Sequence, residues 1–178
     1  MPIDQARTAR GAVAGALAAA VWAAQQPLDK RVFGVDYDDA ELLGKTVTQG
    51  PAWPFVGTAW HLANGALFGA IYANVAPRIP LPSWLRGPAA GMAEHAATWP
   101  SMTLVDRFHP ARKDLPDLAL NPRAFAQGVW RHLLFGTVLG ELERRLNASD
   151  DREVPSYEHV AASTNGHGNL EAALSRNA

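Results

Sequence analysis

Cysteine is missing altogether from the 178 residues. Disulfides, thiolate zinc sites and cysteine nucleophiles are thereby excluded, and the redox compartment is left open. An excess of charge is missing too: 16 Lys and Arg face 17 Asp and Glu, for a net charge of -1 with His neutral. No bulk attraction to nucleic acid or anionic lipid follows from that balance. No basic patch interleaved with aromatics marks a nucleic-acid surface, so no nucleic-acid partner is expected. The chain has no phosphate-cradling glycine loop, no G-x-S-x-G elbow and no HExxH pair. The usual sequence routes to nucleotide, serine-hydrolase and zinc-peptidase chemistry are therefore absent, and no catalytic set is legible. There is no solenoid repeat either.

The most telling absence is local. No Asp, Glu, Lys or Arg lies between Lys45 and Arg78. Residues 53–77, WPFVGTAWHLANGALFGAIYANVAP, are thus uncharged over a bilayer's thickness, roughly 20 residues at ~1.5 Å each. Gly65, Gly69 and Ala73 recur every fourth residue, the small-residue seam along which membrane helices pack closely. Mean hydropathy of the whole chain is only about neutral, because polar loops and a polar tail dilute four apolar blocks. A soluble four-helix bundle would need polar faces opposite the apolar ones, and residues 53–77 have hardly any.

The pattern predicts an all-α protein, a four-helix transmembrane bundle with helices over about 9–26, 54–76, 84–105 and 123–146. Pro27 is expected to end the first helix. Residues 27–53 form a long connection in which YDDAELLGKTV makes a short surface helix begun by an aspartate N-cap. Pro77, Pro80 and Pro82 stiffen the next connection, and Pro100 kinks the third helix. Residues 106–123 read as a polar, proline-rich loop, and 147–178 as a polar tail, short of large apolar side chains and expected to be mostly disordered. Gly11 and Gly15, Gly87 and Gly91, and Gly136 and Gly140 repeat the small-residue step. Trp22, Trp53, Trp60 and Trp84 fall near expected helix ends, where indoles favour the headgroup region. Residues 11–28 also admit reading as a cleaved secretory signal, although their glycine spacing matches the later helices. A slight excess of Lys and Arg on the side of the two termini orients both to the cytoplasm.

Helix directions alternate, so depth can be counted at ~1.5 Å per residue. His61, His95 and His132 then share one layer, with Asn64, Glu94 and Arg131 within about one turn. Ionisable groups at such depth face the bundle interior and mark a functional site by default. Three readings stay open. In the structural one, Glu94 pairs with Arg131 and the histidines bond to backbone or to Asn64. In the second, His61, His95 and His132 hold a metal or haem; no ligands come at i, i+3 or i+4 on one helix to support it. In the third, the layer is a pathway for protons or a small solute. His109, His159 and His167 lack supporting neighbours and read as solvated. The acidic run of Asp36, Asp38, Asp39 and Glu41 lacks the glycine and distal glutamate of a calcium loop and also reads as a solvated face.

The order of these features resembles that of the YagU-like family of small bacterial inner-membrane proteins. A G-x-x-x-G helix is followed by PL and a basic residue, then by a helix carrying His61 among small residues. Next come Pro-x-x-Pro, a Trp, and a helix whose His95 precedes Pro100 by five. The motif Asp114-Leu115-Pro116 leads to a last helix with His132 and, near its end, Arg144-Arg145. The resemblance spans residues 11–145. Glu94 and Arg131 have no firm counterparts in the pattern, and the glutamate before the arginines aligns only with a one-residue shift. The resemblance implies placement in the bacterial inner membrane and supports the three histidine positions. It supplies no substrate, reaction or cofactor. The partners expected are the lipid bilayer and a second copy or membrane subunit docked through the glycine seams.

Overall fold

A computed structural model describes residues 4–148. Among them the chain is all-α, with no strand: α1 (Gln5–Phe33), α2 (Asp39–Val47), α3 (Trp53–Val75), α4 (Ser83–Thr98), α5 (Met102–Phe108) and α6 (Pro122–Leu146). Short 3-10 turns follow α3 (Ala76–Arg78) and join α4 to α5 (Trp99–Ser101). The expected tail, with His159 and His167, lies outside the described residues apart from Asn147 and Ala148.

Helix ends follow local chemistry in most places. The Asp4 carboxylate caps α1 by accepting the Arg7 amide N–H. Asp38 caps α2 through the amides of Ala40 and Glu41, and Asn121 caps α6 through those of Arg123 and Ala124. The exception is Pro27. It stands inside α1, which runs on to Phe33 and stops at Gly34, whose φ of 68° is the left-handed conformation of a helix C-cap. A proline removes one ladder hydrogen bond, whereas continuing the helix carries Asp29 to Arg131 at 2.6 Å. The distant ion pair outweighs the local break. Around Pro100 the expected kink takes the form of a 3-10 turn that divides α4 from α5.

The long helices are held together by backbone-to-backbone approach. A Cβ on Gly15 would fall on the carbonyl oxygen of Gly65, and one on Gly69 on that of Gly11, so α1 and α3 meet without side chains between them. Gly87 and Gly136 do the same for α4 and α6, and Gly44 with Gly57 for α2 and α3. These seams, expected to serve a partner, are filled within the chain. Packing contacts run α2 to α3, α3 to α1, α1 to α6 and α6 to α4. Helices α3 and α4 are not neighbours in that series and hardly meet. A cleft is left between them, with α1 and α6 behind it.

The core at the back is small and aromatic: Ala14, Ala18, Ala19, Trp22, Tyr72, Ala76, Phe135 and Leu139. Trp22 is central to it and not at a membrane-facing helix end, because α1 is longer at both ends than the apolar run suggests. The segment after α5 is the irregular loop expected, but it is pinned to the bundle. The Asp106 carboxylate accepts the amides of Leu118 and Ala119 at 2.9–3.2 Å, and Leu118 is fully buried. His109 is buried as well, with Nε2 2.9 Å from both Thr46 Oγ1 and the Leu42 carbonyl oxygen. Among the described residues, no helix is both long and apolar enough to cross a membrane.

Candidate functional site

The site is built on a buried guanidinium. Arg131, midway along α6, has no exposed surface. Its Nε and Nη2 donate to the two oxygens of Asp29 at 2.6 and 2.7 Å, its Nη1 donates to Asp39 Oδ2 at 2.8 Å, and Nη2 also donates to the Tyr37 carbonyl at 2.9 Å. The group lies over the Tyr37 ring at 4.8 Å. Glu94 is therefore not its partner, contrary to the pairing expected within the histidine layer. Gln127 and Gln25 supply further donors to Asp29. Asp39 accepts from Trp22 Nε1, Gln26 Nε2 and the Tyr37 hydroxyl at 2.8–2.9 Å. Such a fork-on-fork pair with every remaining lone pair engaged is the arrangement that makes a buried charge tolerable.

This network sets the chemistry of the neighbouring groups outside the long helices. Burial alone would raise the Asp39 carboxyl, but the charges of Arg131 and His61 and the bonds from Tyr37 and Trp22 hold it below the ordinary carboxylate range. Burial, with Asp39 beside it, pushes the Tyr37 phenol well above its usual value. Asp39 is thus a fixed anion and Tyr37 a fixed donor.

In front of the network, the cleft holds a cavity of about 190 Å³. His61, Asn64, Glu94, His95 and His132 all line it, as do Trp22 and Asp39; Arg131 stands behind the wall. The three histidines come together through aromatic rings. Trp22 meets His61 edge-on at 5.3 Å and His132 at 4.7 Å, and His132 meets His95 at 4.7 Å. His61 Nε2 donates to the Ala19 carbonyl at 3.1 Å, and His132 Nδ1 to that of Gly128 at 2.8 Å, since a carbonyl can only accept.

His95 differs from the other two. It is 1 % exposed, and neither ring nitrogen has a hydrogen-bond partner. Gly128 makes room for it: a Cβ there would meet His95 Cε1 at 2.7 Å. The Glu94 carboxylate, beside it on α4, makes no hydrogen bond or ion pair with the described residues.

Trp22 packs edge-on against both His61 and His132. Among the described residues no three His, Asp or Glu side chains are grouped to hold a metal ion, so the three-histidine metal set is not assembled. The cavity also falls below the ~300 Å³ at which drug-sized pockets begin, which leaves no room for a haem.

Sequence reasoning missed Asp29, Asp39, Tyr37, Trp22 and Gln127. Asp29 and Asp39 lay beyond Pro27 in what reads as a loop, and their partner is about a hundred residues away. The one available signal was Arg131 itself, a cation in the otherwise uncharged middle of α6 that requires an anion somewhere. Compared with protein-family models, with curated proteins and with solved structures, the chain matches none.

Proposed function

We propose that this chain is an integral membrane protein, in keeping with its resemblance to YagU-like inner-membrane proteins, and that its cleft receives a small solute. The observation that carries the reading is an uncharged belt around the outside of the bundle. On α1 no charged residue lies between Arg10 and Asp29, and on α3 there is none. Between Arg123 and Glu141 the only charge is Arg131, which is buried, and between Arg86 and Asp106 it is Glu94, in the cleft wall. Val13, Leu17 and Val21 on α1, Leu67, Ile71 and Val75 on α3, and Phe125, Trp130 and Leu133 on α6 are exposed. Glycine, alanine, histidine and the ion pair face inward instead. A soluble bundle has the opposite arrangement.

Hydropathy averaged over a whole helix counts these inward residues, which lipid would never touch. They lower the average of each helix while its outward face stays apolar. Length is adequate: the 23 residues of α3 extend about 34 Å against a hydrocarbon core of ~30 Å. A solute site is favoured over a proton wire because, among the described residues, no hydrogen bond links the three histidines and the Trp22 N–H is held by Asp39. The bilayer placement is tested by alkaline extraction of expressing cells. The protein should stay with the membrane pellet and be released only by detergent. Recovery in the supernatant without detergent would overturn the reading.

A further inference from the structure

We infer that the cleft between α3 and α4 binds a small organic ammonium ion. The proposal deepens the reading of the cleft as a solute site and does not depend on the bilayer. Charge is the first argument. Asp29, Asp39 and Glu94 are the carboxylates in and behind the cavity wall, against the single cation Arg131. Arg131 is committed to Asp29 and Asp39, which leaves Glu94 without a counter-ion. A half-buried carboxylate so placed in the cleft wall favours the arrival of a cation.

The second argument is His95. A buried imidazole with both nitrogens unpartnered is uncommon, because leaving such groups unsatisfied is expensive. It lies in the wall next to Glu94, so one ligand can answer both. An ammonium group brings up to three N–H donors, one for Glu94, one for the acceptor nitrogen of neutral His95, and one for the amide oxygen of Asn64 at the mouth. Its carbon part would lie among Trp22, Trp99 and Phe135, and aromatic faces attract cations.

Other ligand classes fit less well. An anion would meet Asp39 and Glu94. A neutral molecule would leave Glu94 uncompensated. A metal ion lacks a grouped ligand set. Size sets the scale: a cavity of ~150 Å³ holds benzene, so about 190 Å³ suits an amine of benzylamine's bulk.

The test is calorimetric titration of the full chain in detergent with benzylamine, benzyl alcohol and benzoate, three molecules of one shape and different charge. Benzylamine should bind at least about tenfold more tightly than benzyl alcohol, and benzoate not at all. Glu94→Gln should erase the preference for the amine over the alcohol. Asn64→Asp, which adds a second anion at the mouth, should tighten benzylamine severalfold, a gain that misfolding cannot produce. Equal affinity for benzylamine and benzyl alcohol in the parent protein would overturn the ammonium assignment while leaving a solute site. Failure of all three to bind would overturn both.

Discussion

Arg131 and Asp29 form a two-pronged ion pair, at 2.6 and 2.7 Å, in which neither side chain is more than 1 % exposed. The pair joins the middle of α6 to the last turn and a half of α1. With Asp39 as its third member, it also fixes the start of α2. Three elements distant in sequence are therefore registered by one guanidinium.

Arg131→Met keeps most of the side chain's volume and leaves two carboxylates buried without their cation. It should cost about 3–5 kcal/mol, as breaking one partner of a buried pair does. Asp29→Asn added to it should recover part of the loss, because the two residues act as one unit. Thermal unfolding of the single and double variants in one detergent measures both effects.

Asp39 makes stability depend on acid. Its folded carboxyl is held below the ordinary value of 3.8, so the folded state binds its proton less readily than the unfolded chain does. The contribution is complete above that ordinary value and disappears as pH falls through the lower folded one. Asp39→Asn should lower the unfolding temperature at neutral pH and flatten its fall below about pH 4, where carboxyls ordinarily titrate. Unfolding temperatures of both proteins measured across the acid range would show this.

The glycine seams predict a contrast between two conservative changes. Gly15→Ala places a methyl on the Gly65 carbonyl and must push α1 from α3, at about 1–3 kcal/mol, the usual cost of overpacking. Gly50→Ala, whose nearest neighbour would be Thr48 Oγ1 at 3.5 Å, should be close to neutral. Thermal unfolding of the two variants side by side reads the difference.

Much of the helical framework was legible because its signals are local. The uncharged run of residues 53–77 and the aspartate cap of α2 lie within one turn of what they specify, and α3 and α6 begin and end within about a residue of expectation. The small-residue steps pointed to close helix packing, though not to which helices would meet. What was hidden depends on contacts across the chain. Pro27 weakens one turn and is overruled by Asp29 reaching Arg131. Asp39 belongs to an acidic run that resembles a solvated face until Arg131, Trp22 and Tyr37 surround it. His109 looks isolated in sequence, and its partners Thr46 and Leu42 are more than sixty residues earlier.

The account's central claim is that the apolar outside of the bundle faces lipid, and the absence of cysteine makes a direct measurement simple. Leu67→Cys and Ile71→Cys put a single thiol on the exposed face of α3, and Gln49→Cys puts one in the connection before it. Reaction with N-ethylmaleimide in intact membranes should label Gln49→Cys at once. The two α3 thiols should stay unlabelled until the protein is unfolded in SDS, because a thiol in hydrocarbon does not ionise and the thiolate is the reactive form. Labelling of Leu67→Cys and Ile71→Cys as fast as Gln49→Cys would place that face in water and contradict the account.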